Sequence, residues 1–110
     1  MLETIKSSTE ISYLFAHGKR YNAHSITLLV SQGRNQHDPQ GRVAFIAGKK
    51  SGNAVWRNAA KRRMRAVCRD LGGPWEGFDV VFLAKGFVLE QEYSKVLSSC
   101  RAQIKRFAGE

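Results

Sequence analysis

Apolar residues gather in three short stretches of this 110-residue chain and recur every three or four residues elsewhere. The stretch "SITLLVSQ" (25–32) puts Ile26, Leu28 and Val30 on one side and Thr27, Leu29 and Ser31 on the other, the period-2 signature of a strand. In "RVAFIAG" (42–48), Val43, Phe45 and Ala47 oppose Ala44, Ile46 and Gly48. The polar, turn-rich "GRNQHDPQG" between them predicts that the two strands pair as an antiparallel hairpin. "FDVVFLAK" (78–85) reads as a further strand, its apolar run suited to a buried position, and Tyr21 marks another short one.

Three segments carry the helical period. Ser7-x-x-Glu10 has the form of a capping box and Gly18 that of a stop, with Ile11, Leu14 and Phe15 on one face between them. Asn53 is a good N-cap and Gly72-Gly73-Pro74 a strong stop, which predicts a helix over 54–71. Leu89, Tyr93, Val96, Leu97, Cys100, Ile104 and Phe107 predict a third helix over 89–107. The expected fold is an α/β (α+β) two-layer sandwich over 1–110 in the order α-β-β-β-α-β-α. Its single domain has a small mixed sheet packed by helices. A strand, a helix and a strand in succession imply a crossover that makes two strands parallel.

Charge sharpens this picture. The formal net charge is +9, from 18 basic and 9 acidic residues. Between Asp38 and Asp70 there is no acid, while Arg42, Lys49, Lys50, Arg57, Lys61, Arg62, Arg63, Arg65 and Arg69 all fall there. Those nine account for the whole excess. At about 100° per residue, with Arg57 at zero, Trp56, Val67, Ala60, Leu71, Met64 and Cys68 of the middle helix span roughly 260° to 20°. Arg57, Lys61, Arg65, Asn58, Arg69 and Arg62 span roughly 0° to 140°, and Arg63 lies at the border. Like charges four apart on a helix cost roughly 0.2–0.5 kcal/mol per pair. A cationic face without acids therefore points to a polyanion, and nucleic acid fits best. With no helix-turn-helix pair in view, RNA is favoured over DNA.

No catalytic constellation is visible. His17, His24 and His37 lack metal-ligand spacing and read as surface or turn residues. Glu90 and Glu92 sit where a helix start favours acids. There is no Ser-His-Asp grouping, Walker loop or dinucleotide fingerprint. The glycines of "AGKKSGNA" set backbone N–H groups and a helix start beside Lys49 and Lys50, a reasonable phosphate contact. Cys68 and Cys100 fall on apolar helix faces and read as reduced core residues. The chain has no apolar run of membrane-spanning length and its first residues lack a signal-peptide block, so a cytoplasmic protein is expected.

The segment 47–69 resembles the signature of the bacterial ribonuclease P protein subunit. The matching residues are Lys49-Lys50, Gly52-Asn53-Ala54-Val55, Arg57-Asn58-Ala59, Lys61-Arg62 and Arg65. "ISYLFAHGKR", "RVAFIAGKK" and "DVVFLAK" are similar to further elements of that family. The resemblance implies a protein subunit of an endoribonuclease that removes the 5′ leader of precursor tRNA. Its catalytic groups are expected on an RNA subunit, with Mg2+ acting through that RNA and no cofactor bound by the protein alone. It implies that Lys49, Lys50, Arg57, Asn58, Lys61, Arg62, Arg65 and Arg69 face the catalytic RNA. Ile11, Phe15, Thr27, Leu29 and Ile46 are then expected to line a groove for the leader. It also implies a left-handed crossover, where handedness rules alone favour a right-handed one.

The chain departs from the pattern at Ala59, which stands for the last arginine of Arg-Asn-Arg, with Arg63 expected to compensate. Ala60 stands where the family often has a larger residue. Ile11 and Leu29 stand where many members have aromatics, leaving Phe15 as the groove's main ring. The other reading is a structural RNA-binding protein such as a ribosomal protein. A free-standing nuclease lacks any residue to support it.

Overall fold

The strand at 78–84 lies inside the sheet, with a strand on each side. In the computed structural model, which describes residues 8–32, 41–48 and 52–108, the element order is α1 (Ser8–His17), β1 (Lys19–Asn22), β2 (Ile26–Gln32), β3 (Arg42–Ala47), α2 (Ala54–Asp70), β4 (Phe78–Ala84) and α3 (Tyr93–Ala108). This is the α+β order expected, with the short strand at Tyr21 present. The sheet order is β1-β2-β4-β3.

The expected hairpin of β2 with β3 does not form. β4 lies between them, antiparallel to β2 and parallel to β3. The physical reason is burial: Val80, Val81 and Phe82 are fully buried on alternating faces, so β4 needs a strand on each side and a layer on each face. β2 and β3 still run in opposite directions, so the sequence pattern gave their relative direction but not the strand inserted between them. The polar loop 33–40 lies outside the described residues, as do Ser7 of the capping box and His37.

Each face of the sheet has its own packing layer. Ile26, Leu28, Val30, Val43, Val80 and Phe82 join Met64, Val67 and Cys68 of α2 and Val96, Cys100 and Ile104 of α3 in the larger core. The opposite face, with Leu29, Ala44 and Val81, is covered by Leu14 of α1, with Ile11 and Ile46 packed against it. Cys68 and Cys100 are buried free thiols, and burial pushes both up to about 12. Among the described residues no helix is long and apolar enough to cross a membrane.

Helix ends follow local chemistry. Gly18 closes α1 through a 2.8 Å bond from its N–H to the Leu14 carbonyl; a Cβ there would stand 2.5 Å from that oxygen. The Asn53 side chain accepts from the Trp56 N–H at 2.9 Å, and Gly72 leaves α2 at φ +87°. α3 starts at Tyr93 rather than Leu89. The Glu92 carbonyl accepts from the N–H groups of Lys95 and Val96 at 3.0 Å each, while Val88 and Glu90 donate within turns to Lys85 and Phe87. Val88 is fully buried from that turn, so the apolar period continues without a helix to carry it.

Candidate RNA interface

Along α2 the buried residues are Ala60, Met64, Val67 and Cys68. The polar face opposite carries the file Arg57–Lys61–Arg65–Arg69, with Asn58 and Arg62 beside it. Asn58, Arg62, Arg65 and Arg69 are exposed; Arg57 and Lys61 are half-buried at the margin of the core. Among the described residues no carboxylate pairs with Arg57, Lys61, Arg62 or Arg65. Arg65 instead stands 5.7 Å over the ring of Phe45 on β3, the edge strand, which steadies its guanidinium toward that edge. Arg69 lies 3.6 Å from Asp70, a solvent-exposed pair worth little. Lys49 and Lys50 lie outside the described residues.

Two cations of the acid-free interval serve the fold. Arg42 holds Asp79 with both ends of its guanidinium, at 3.1 and 2.8 Å, across the parallel β3–β4 pair. Arg63 corrects the sequence reading. It does not compensate for Ala59 on the cationic face but turns to the other side of α2, where it donates to the carbonyls of Gln91 at 2.7 Å and Val88 at 3.4 Å. It also stands 5.6 Å over the ring of Tyr93. The Tyr93 hydroxyl donates to Asp70 at 2.6 Å, and burial together with that bond pushes its phenol up to about 12. Arg63 thus clamps the turn before α3 to α2. Arg63→Ala should cost about 1–3 kcal/mol, as expected for carbonyls left without their charged donor. Melting should drop by several degrees while RNA affinity stays within about twofold; a large loss of affinity at unchanged melting temperature would return Arg63 to the binding face.

On the opposite face of the sheet, cross-strand partners place Asn22, Thr27, Leu83 and Ile46 in one row and Arg20, Leu29, Val81 and Ala44 in the next. α1 lies over the second row. Leu29 is fully buried there and Thr27 is 5% exposed, its hydroxyl donating to Asn22 at 3.0 Å. These two are therefore packed side chains and not surfaces a ligand touches. Phe15 is 39% exposed, and Ile11 and Ile46 are half-buried against the Leu14 cluster. Two residues escaped the sequence reading: Leu83, half-buried between Thr27 and Ile46 in the row, and Tyr13, 38% exposed on α1. The parity of β4 held the signal for Leu83, once its register to both neighbours was known. His17 and His24 are exposed, and among the described residues no group of three or more His, Cys, Asp or Glu is arranged to hold a metal.

A mixed sheet with a cationic helix on one face and an aromatic-bearing helix on the other defines an α+β protein whose α2 presents arginines and a lysine that no described carboxylate pairs. The ribonuclease P family model matches residues 2–108. The ribonuclease P protein component of Natranaerobius thermophilus is 35% identical over 94 residues, covering 84% of this chain and 78% of that protein. That of Caulobacter vibrioides is 38% identical over 80 residues, covering 70% of this chain and 53% of that protein. The ribonuclease P protein of Thermotoga maritima matches with a TM-score of 0.78 at 26% identity, over 97% of this chain and 99% of that one. The Staphylococcus aureus ribonuclease P protein has the same fold, at a TM-score of 0.81 over the full length of both chains and 18% identity. The chain belongs to the ribonuclease P protein family, and its place there favours a ribonuclease P subunit over a ribosomal protein.

Proposed function

We infer that this chain works as the protein subunit of ribonuclease P in the cytoplasm, binding the catalytic RNA through α2 and the 5′ leader of precursor tRNA through the α1 groove. The observation that carries the reading is the disposition of two surfaces around β3. Arg65, over Phe45, lies on one side of that strand with the cations of α2, and half-buried Ile46 lies on the other, packed in the layer under α1. An RNA phosphate backbone laid on Arg57, Lys61, Arg62 and Arg65 relieves their mutual repulsion, and Lys49 and Lys50 extend the motif in sequence. A leader strand running in the groove would meet Phe15, Ile11 and Ile46. The bond to be hydrolysed is then cut by the RNA with its own Mg2+, and the protein's part is to hold the substrate in register.

Phe15 separates substrate binding from packing. A base stacked on its ring contributes roughly 1–3 kcal/mol. Phe15→Ala should therefore weaken binding of precursor tRNA to the assembled complex about tenfold while mature tRNA, which has no leader, binds as before. Its exposed edge limits the stability loss to less than the about 3–5 kcal/mol of a buried phenylalanine. A constant ratio of precursor to mature affinity, with a collapsed melting temperature, would make Phe15 a core residue and remove the groove from the reading.

A further inference from the structure

The fold assembles a second acid-free cationic region from segments far apart in the chain. Neither 11–37 nor 93–109 contains an Asp or Glu. The first carries His17, Lys19 and Arg20, and the second carries Arg101, Lys105 and Arg106. They meet at the edge of the sheet opposite β3, where β1 begins and α3 ends. Lys19 pairs with Val30 near the end of β2, and the Phe107 ring lies 5.3 Å from those of both Tyr21 and Phe78. The Lys19 ammonium and the Arg106 guanidinium each stand 5.4 Å from the centre of the Tyr21 ring.

A cavity of about 460 Å³ opens at this junction, lined by the rings of Tyr21, Phe78 and Phe107 together with His17 and Lys19. That volume is in the range of small-molecule sites, roughly 300–1,000 Å³. Asp79, next to Phe78, is held by Arg42 on the other face of the sheet, and among the described residues no carboxylate pairs with Lys19 or Arg106. Aromatic rings suit the flat face of a base, and Lys19 in the lining, with Arg106 beyond it on the Tyr21 ring, suits a phosphate. An acidic peptide would use the cations but not the rings.

We propose that this pocket receives one unpaired nucleotide of a single-stranded RNA, its base against Phe78 and Phe107 and its phosphate held by Lys19 and Arg106. The site is separate from α2 and from the α1 groove, and it does not depend on the ribonuclease P reading. It is tested on the full chain without any RNA subunit, using adenosine 5′-monophosphate and inorganic phosphate as probes and the ring resonances of Tyr21, Phe78 and Phe107 as the readout. The nucleotide should shift those resonances at millimolar concentration or below, and bind more tightly than phosphate. Lys19→Gln with Arg106→Gln should weaken it by roughly tenfold, whereas Lys95→Gln at the far end of α3 should leave it unchanged. Arg106→Gln alone, at an exposed position in the last turn, gives the same direction of change should the double variant melt early. Absence of shifts at saturating nucleotide, shifts confined to Phe15 or α2, equal binding of phosphate, or indifference to the substitutions would each overturn the proposal.

Discussion

Met64→Asp should abolish the fold. Met64 is fully buried in the larger core, on the face of α2 that packs over the sheet beside Val67 and Cys68. An unpaired carboxylate there costs several kcal/mol, and truncating the thioether side chain adds a cavity term of about 2–5 kcal/mol. A domain of this kind has only about 5–15 kcal/mol of stability in all. The expected result is loss of the cooperative melting transition, with RNA binding lost as a consequence. The same substitution two positions earlier, Arg62→Asp, falls on the exposed face and should leave melting within a few degrees of the parent. Parental melting of Met64→Asp would mean that α2 presents the opposite face to the sheet.

The second large effect concerns affinity alone. Arg57→Ala, Lys61→Ala and Arg62→Ala together remove three cations that no described carboxylate neutralises. At roughly 1 kcal/mol for each phosphate contact, RNA binding should weaken about a hundredfold. The slope of log affinity against log salt should become shallower by about two to three, because fewer counterions are released. Relief of repulsion along the helix should raise the melting temperature slightly, if it changes at all. The diagnostic combination is a shallower salt slope in a folded protein. An unchanged slope would place the RNA elsewhere.

The features legible in the sequence are those set by neighbours in the chain. Asn53 and Gly72 bound α2 through contacts three or four residues away, so the predicted and observed helices agree to within a residue at their C-terminus. The parity of β2 separated Ile26, Leu28 and Val30 from Thr27 and Leu29, and the two sets do face different cores. Strand order was not legible, because inserting β4 between β2 and β3 is decided by the need to bury Val80, Val81 and Phe82 from both sides. Arg63 sat at the border of the helical wheel, and only the carbonyls of Val88 and Gln91, brought there by the turn before α3, decide which way it points. Leu29 reads as a surface candidate until α1 is laid over it. The cationic pocket beside Tyr21 has no local signature at all, since its charges come from segments more than seventy residues apart.

The role proposed for this chain is that of an assisting subunit, with the cleaving groups on the RNA. Its most direct test is precursor tRNA processing at low Mg2+ with a ribonuclease P RNA, the protein, or both. Slow or no leader removal is expected from the RNA alone, none from the protein alone, and rapid cleavage at the mature 5′ end when the two are combined. Cleavage by the protein without the RNA, or no gain on adding it to the RNA, would contradict that role.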